Sequence, residues 1–501
     1  MNHMSPSAQA QLSSVQQAVQ AARQRQSEWA ARSLSQRADA LKALAAFVLS
    51  RADELTQILA DETGRSLLAA RFPEVALIGD YVKGAVKVGQ QALAPEKIKL
   101  SPLDMPGKRG VIEQVPRGVV GVIAPWNYPL LQLYKPVFPA LLAGNTVVIK
   151  PSEYTPRCAE WLAAACDQTL GEGIVRVVQG DGAVGEALIY AGIDALTFTG
   201  SVRTGRKVAA AAAGQLIPCS VELGGKDAAI VLDDCNLDRT VSGIAYTAFH
   251  NAGQDCAGIE RVFVQQAISD TFVARLTAAA GALRVGNTEN SEVAPIQNDA
   301  QLAVVEAHVA DALAKGATLL CGGHRVGEGR GYAPTVLDHC TDDMLVMAEE
   351  TFGPVVAIRR VQSAEEAIAL ANNSPYGLNG SVWTTNLTRG EQVARQLDVG
   401  LAHVNGHGWT GSQPHIPWTG TGETGPGVAG SRFAYPTFAR PRVVMVDKNK
   451  KAEPFWFPFD PNMDAFSLAL MERSSGSFGA LFKLLGLLGK RVNATGRLGQ
   501  D

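Results

Sequence analysis

Between Ser14 and Leu68 apolar residues recur at spacings of three and four, Leu41, Leu44, Ala45 and Val48 among them, in a background of Ala, Leu, Gln and Arg. That period predicts a helical entry. From Lys108 to Val115 the pattern alternates, and Val119-Val-Gly-Val-Ile123 is a compact apolar run of the kind that forms a buried strand. Similar runs follow at Thr146–Ile149, Ile174–Val178, Ala195–Phe198 and Ala228–Leu232, separated by helical stretches. This alternation predicts parallel strands with crossover helices, an α/β chain with a doubly wound sheet. A second α/β series, with strands at Arg261–Val264, Thr318–Cys321, Val355–Ile358 and Leu401–Val404, sets a boundary near Gly224-Gly225. Arg440–Asp447 reads as a late strand added to an existing sheet. In the last fifty residues Phe478, Leu481, Phe482, Leu485 and Leu488 form one helical stripe beside Lys483, Lys490 and Arg491. The stripe is expected to pack on the subunit's own body, with peripheral membrane contact as the other reading.

Length adds that 501 residues exceed one ordinary core, so two or three structural units are expected. A hydrophobic share of 46%, a charged share of 19% and a net charge of −3 describe a globular protein without the basic footprint of a nucleic-acid binder. The seven cysteines are dispersed and form no CxxC pair, which argues against a disulfide framework or a metal site. With no secretory signal pattern at the N-terminus and no apolar run of spanning length, a cytoplasmic location is expected.

Candidate chemistry sits at the ends of the expected strands. Gly180-Asp-Gly-Ala-Val-Gly185 fits GxGxxG literally, but the acidic residue that should follow is missing. Phe198-Thr-Gly-Ser201, with Gly205 after it, also leads from strand to helix, where Gly200 would let backbone N–H groups approach a pyrophosphate. An ordinary glycine turn explains either motif alone. In Lys150-Pro-Ser-Glu153 the carboxylate and ammonium could both reach a ribose, and Glu153 would repel a 2'-phosphate. Glu222 lies in an apolar strand context before two glycines, which suits a general base, unless it merely pairs with Lys226. Cys256, in Asn251-Ala-Gly-Gln-Asp-Cys-Ala-Gly258, has small neighbours that leave its sulfur approachable, and the following segment is expected to set it at a helix N-terminus. Asn127, held between prolines in Pro125-Trp-Asn-Tyr-Pro129, is a stiffly aimed amide, or simply part of a stiff turn.

Together PWNYP, KPSE, FTGS, VELGGKDA, FHNAGQDCAGIE and EETFGPV, in this order along the chain, resemble the NAD(P)-dependent aldehyde dehydrogenase superfamily. The resemblance implies an aldehyde dehydrogenase-like fold: a Rossmann-type NAD-binding domain over 1–98 and 116–223, a catalytic domain over 224–435, and a bridging β-sheet from 99–115 and 436–449. A C-terminal extension covers 450–501. It also implies an aldehyde substrate oxidised to a carboxylic acid. Cys256 would be the nucleophile, Asn127 an oxyanion donor and Glu222 the activator of water on the thioester. NAD, with NADP as an alternative, would be held by Trp126, Lys150, Glu153, Gly180, Gly185, Phe198, Thr199, Gly200, Ser201, Gly205, Leu223, Glu350 and Phe352. A homodimer or homotetramer is implied, with no metal. Rivals are a cysteine hydrolase using His250, a silent scaffold, and a CoA-acylating enzyme, which often lacks the water-activating glutamate. Where the family usually has Pro-Phe-Gly-Gly-x-Lys-x-Ser-Gly near its substrate mouth, this chain has Pro417-Trp-Thr-Gly-Thr-Gly-Glu-Thr-Gly425, with Trp418 for Phe and Thr419 for Gly, and no basic cluster marks a carboxylated substrate.

Overall fold

The structure, a computed structural model, describes residues 4–101 and 105–496. The expected N-terminal domain, bridging hairpin and C-terminal extension thus each include a few residues, 1–3, 102–104 and 497–501, outside those described. The chain divides into two compact units, Met1–Ala94 with Gln114–Arg440, and Pro95–Glu113 with Pro441–Asp501.

In the first unit the helical entry is not one run but α1 (Pro6–Ala31), α2 (Leu34–Ser50) and α3 (Ala52–Thr63). The first break is made by Ser33, whose hydroxyl accepts from Gln36 N while the Gln36 side chain accepts from Ser33 N, a capping box. Gly64, at φ +67°, ends α3 in the left-handed conformation that glycine adopts without strain. Helices α4 (Ile78–Ala92), α5 (Leu131–Ala143), α6 (Val202–Gly214) and α7 (Leu237–Phe249) follow.

Five strands, β1 (Val119–Ile123), β2 (Thr146–Lys150), β3 (Val175–Val177), β4 (Ala195–Thr199) and β5 (Cys219–Glu222), form a parallel sheet in the order β3-β2-β1-β4-β5. Their side chains alternate between two cores, which is why they read as continuous apolar runs. Val120, Val122, Val147 and Ile149 face a cluster built with α2, α4 and α5, whereas Val119, Ile123 and Val148 face one that includes Ala8–Ala22 of α1.

A second sheet has seven strands: β6 (Asp227–Val231), β7 (Ile259–Gln265), β8 (Thr318–Cys321), β9 (Thr335–Asp338), β10 (Val355–Val361), β11 (Asn379–Trp383) and β12 (Leu401–Val404). Their order is β8-β9-β10-β7-β6-β11-β12, and β8 alone runs antiparallel to its neighbour. Only Leu223 to Lys226 separate β5 from β6, so the expected boundary at Gly224-Gly225 is the link between the two sheets.

A three-stranded sheet, most of whose residues belong to the second unit, joins Glu96–Ile98, Lys108–Pro116 and Ala439–Asp447, the last at an edge. Lys108 ties it together, its ammonium donating to Asp447 at 2.6 Å and also to Glu453. Helices α8 (Pro461–Ser474) and α9 (Gly479–Thr495) pack through Phe466, Ala469 and Leu484. Arg491 is buried here, donating to the carbonyls of Pro454 and Trp456 and to Asp460. This corrects the sequence reading of α9. Its inward face is Ala480, Leu484, Arg491 and Thr495, and the stripe of Phe478, Phe482, Leu485 and Leu488 is exposed, Phe478 at 81%. The pairing of Arg491 with Asp460 turns the helix this way, since a buried guanidinium must keep its acceptors. No helix among the described residues is long and apolar enough to cross a membrane.

Candidate active site

At the C-terminal end of β1 the Ala124 N–H donates to the Lys150 carbonyl, and the chain then turns through the prolines that fix Asn127. Asn127 is buried and its amide donates to Gln254 O at 3.1 Å, two residues before Cys256. Asn251 Nδ2 returns the tie, donating to Asn127 O at 3.0 Å and to Gln254 O at 3.2 Å. The two loops are thus laced, one N–H of the Asn127 amide being used in the tie while its Oδ1 meets no partner among the described residues.

The Cys256 loop is held in a strained shape. Asn251, Ala252 and Gly253 are successive left-handed residues, with φ of 54°, 57° and 67°, and a Cβ on Gly253 would lie 2.0 Å from Gly353 O. Cys256 then occupies a turn that leads into β7, not a helix. The expected helix N-terminus is therefore absent, because only Ala257 and Gly258 intervene before the β-branched and aromatic run Ile259–Val264. No helix dipole assists the thiol. Burial pushes it well above the ordinary thiol range, Asp255 adds to the rise, and the Lys135 ammonium opposes it. The Cys256 backbone N–H meets no acceptor among the described residues.

Glu222 is the last residue of β5, clamped on both sides: Leu223 N donates to Thr424 O at 2.9 Å and Gly427 N to Val221 O at 3.0 Å. These bonds set the unusual segment 417–427 alongside Glu222. Burial raises its carboxyl pKa, and Lys135 again pulls the other way. Lys226 does not pair with it; that ammonium is buried against Glu260. Gly225 brings the next segment close, since a Cβ there would lie 2.5 Å from Cys256 O.

Glu260 also accepts from Thr351 N and Phe352 N at 2.8 Å each, which fixes EETFGPV against the start of β7. Glu350 accepts from Gly225 N at 3.0 Å, and burial together with the nearby Glu260 pushes its carboxyl up to about 8. Phe352, at φ 49°, meets Trp126 edge-on with ring centroids 5.5 Å apart. Trp126, Glu350 and Phe352 are thereby brought to the Gly224-Gly225 link.

The remaining expected cofactor residues fall at the ends of β2 and β4. Lys150 Nζ lies 3.3 Å from Glu153, and Gly185 packs against the Lys150 side chain, where a Cβ would stand 3.8 Å away. Gly180, at φ +142°, precedes the Asp181 cap of the Gly182–Tyr190 helix. Phe198 is buried beneath Gly200, while Thr199 and Ser201 lie at the turn into α6 (Val202–Gly214). The Gly200 N–H is spent on Glu222 O at 3.1 Å, and the Ser201 hydroxyl on Thr204 Oγ1. The free donors at this turn are instead the N–H groups of Ser201, Val202 and Arg203, without acceptors among the described residues. Gly205 lets α6 approach the sheet, since its Cβ would fall 2.2 Å from Leu223 Cδ2. A carboxylate and ammonium near one strand end and a helix N-terminus at another fit the ribose and pyrophosphate of a dinucleotide.

His250 makes no contact with Cys256. Its Nδ1 meets Tyr128 Oη at 3.0 Å, Tyr128 donates to Asp255 at 3.2 Å, and burial lowers the imidazole to about 4. A neutral, occupied ring is a poor base for a hydrolase. Sequence reasoning passed over Asp255 and Lys135; the signal for Lys135 was a single charge in the apolar helix Leu131–Ala143.

A model of the aldehyde dehydrogenase family matches residues 3–444. The chain is 35% identical over 453 residues to the 4,4'-diapolycopene aldehyde oxidase of Methylomonas sp, covering 89% of this chain and 84% of that one. It is 36% identical over 422 residues to the lactaldehyde dehydrogenase of Escherichia coli strain K12, covering 82% and 87%. Among solved structures, the NAD-dependent aldehyde dehydrogenase of Sinorhizobium meliloti superposes with a TM-score of 0.82 at 33% identity, covering 89% of each chain.

Proposed function

This chain belongs to the aldehyde dehydrogenase family, and on that premise we propose that Cys256, Glu222 and Asn127 are the residues through which it acts. It oxidises an aldehyde to a carboxylic acid with reduction of NAD(P)+. In this reading the Cys256 thiol passes its proton to the Glu222 carboxylate, which hands it on to water, as the sulfur bonds to the aldehyde carbon, and the carbonyl oxygen takes up the charge between the free Asn127 N–H and the Cys256 backbone N–H. NAD(P)+, when bound, supplies the hydride acceptor. Glu222 then takes a proton from water, whose oxygen bonds to the thioester carbon as the carbon–sulfur bond breaks, releasing the acid and the thiol. A carboxyl raised by burial is suited to that proton transfer near neutral pH. The observation that carries the reading is the lacing of the Asn127 and Cys256 loops, with Gly225 closing on Cys256 from the Glu222 side.

The cofactor would lie along the strand ends of the five-stranded sheet, which is the NAD-binding part of the proposed domain plan, with the seven-stranded sheet as the catalytic part. Lys150 and Glu153 would take the adenine ribose, with Gly180 and Gly185 on the adenine side. The turn Phe198–Ser201, with Gly205 and Leu223 behind it, would meet the pyrophosphate, and Trp126, Glu350 and Phe352 the nicotinamide end.

The test is cofactor reduction by the full chain with a panel of aldehydes. Cys256→Ser is expected to lower the rate by roughly 10³-fold or more, and Asn127→Ala by about 10²-fold. Glu222→Gln is expected to release one equivalent of reduced cofactor and then stall as the thioester. Unchanged oxidation by Cys256→Ser would overturn the assignment, as would ester cleavage without cofactor in place of aldehyde oxidation.

A homodimer or homotetramer is supported by the edge strand Ala439–Asp447, whose Val443, Val444, Met445 and Val446 are exposed. Peripheral membrane contact is supported by the exposed apolar stripe of α9. Flotation with anionic vesicles tests it, and absence of binding sinks it. A cytoplasmic location accords with seven cysteines that are all free thiols.

A further inference from the structure

Between the edge strand Ala439–Asp447 and α8 the chain carries Phe455, Trp456, Phe457 and Phe459, and all four side chains are exposed, Phe459 at 72%. Aromatic rings left in water over one continuous stretch mark a surface that meets something apolar. The stretch is nonetheless held in shape. Arg491, buried in α9, donates to the carbonyls of Pro454 and Trp456 at 2.8 and 2.6 Å and to Asp460 at 2.8 Å, while the rings stay exposed. It thereby joins the aromatic loop to the helix whose outer stripe is Phe478, Phe482 and Leu485. At 3.6 residues per turn these three lie within about 60° of one another, and Lys483 and Lys490 fall together on one flank, roughly 120° round from the centre of the stripe. With 17 residues and a lysine near its start, α9 suits lying along an interface and not crossing it.

Charge follows the same division. From Lys448 to Asp501 the sequence has eight basic and five acidic side chains, a net charge of +3 in a chain whose total is −3. Three of the acidic groups are already engaged, Glu453 with Lys108, Asp460 with Arg491 and Glu472 with Lys483. Lys448, Lys450, Lys451 and Lys490 are exposed and pair with no carboxylate among the described residues. Unpaired lysines beside exposed aromatics complement an anionic bilayer, where lipid phosphates meet the ammonium groups and the rings sit at the boundary of headgroup and acyl chain. A second copy of the chain would bring the same positive excess to the contact, and so fits this face less well. We infer that the extension docks on an anionic lipid surface, with the Phe455–Phe459 loop entering the interface beside the α9 stripe and the four lysines on the headgroups; this rests on the peripheral membrane contact of the proposed function and adds to it the lipid charge and the inserted loop. Arg491 is the positioning residue that makes loop and helix one face.

The test uses the full chain with vesicles of phosphatidylcholine, alone or mixed with phosphatidylglycerol. Flotation reads binding, and quenching of tryptophan fluorescence by lipids brominated in the acyl chain reads insertion. The chain is expected to float with the mixed vesicles only, to be released by high salt, and to show quenching that disappears in Trp456→Phe. Lys450→Gln with Lys451→Gln is expected to weaken binding by on the order of 10-fold. Phe457→Ser with Phe459→Ser should weaken it by a similar factor, through the apolar area withdrawn from the interface. Aldehyde oxidation in solution checks that both double variants remain folded. Equal binding to both kinds of vesicle overturns the assignment of anionic headgroups. Binding that is lost in Phe482→Ser, unchanged in the loop variants and free of Trp456 quenching leaves peripheral contact standing and overturns the inserted loop. Absence of flotation sinks both. A fall to a smaller species by light scattering in Phe457→Ser with Phe459→Ser overturns the inference as well, since the face would then join two copies of the chain.

Discussion

Glu222 and Glu350 are both pushed up by burial, but in the proposed mechanism only Glu222 must lose its proton to work. Glu222 has to be ionised to accept a proton from water. Thioester hydrolysis is therefore expected to fall as pH drops through its raised pKa, at a higher pH than an ordinary glutamate would give, and the pH profile of kcat checks this. Glu350, at about 8, holds its proton at neutral pH. Between the ordinary carboxyl range and pH 8 the folded chain binds that proton and the unfolded chain does not, so this contribution to stability is lost as pH rises through about 8. Wild-type Tm is expected to fall from pH 6 to 9 more steeply than that of Glu350→Gln, and thermal melts across that range decide it. At this scale the sequence was informative wherever glycine or proline left few conformations, as around Asn127, Glu222 and Cys256. It was silent on Lys135, because a lone lysine in an apolar helix reads as a snorkelling surface residue until its surroundings are known. It misled on the turn after Cys256, where two small residues gave no sign of which element followed.

Among elements, α5 matters most to the site, since Asn127 precedes it and Lys135 lies within it. Its start is fixed by Glu74, which accepts from Leu130 N at 2.7 Å and Leu131 N at 3.0 Å while paired with the buried Arg65. Removing one partner leaves the other charge stranded, so Glu74→Ala is expected to cost about 3–5 kcal/mol, read by denaturant unfolding. Glu74→Gln, which keeps one acceptor, should cost less. Gly205→Val tests the approach of α6 to Leu223, and overpacking there should destabilise by about 1–3 kcal/mol. Strands buried on both faces, such as Val119–Ile123 and Val355–Val361, were legible as apolar runs, whereas Cys219–Glu222, Thr335–Asp338 and Asn379–Trp383 were not, since polar residues or glycine bound or interrupt them. The divisions between α1, α2 and α3 were not, since a capping box at Ser33 and a glycine at 64 are local features laid over an unbroken helical period.

For the whole molecule, the two-series reading of the chain corresponds to the two sheets joined by Leu223 to Lys226. The antiparallel β8 escaped it, because orientation leaves no mark on an apolar run. The extension was read with the right helix and the wrong inward face, since the period alone cannot tell that Arg491 would be the buried residue. If the exposed edge strand joins two copies, Val444→Lys with Val446→Lys should shift the chain to monomer by size exclusion with light scattering. The strand order of the second sheet also bears on how the protein is made. β7, which follows Cys256, pairs with β6 on one side and with β10 on the other, and Glu260 takes its hydrogen bonds from residues 351 and 352. A ribosome that has just released Cys256 must therefore add about a hundred more residues, on the order of 5–20 s of synthesis, before the C-terminal neighbours of that loop exist. The nascent chain passes through that interval with the Cys256 loop held only by segments already made, Asn127 and β6 among them, and the loop gains its last supports once β10 has emerged.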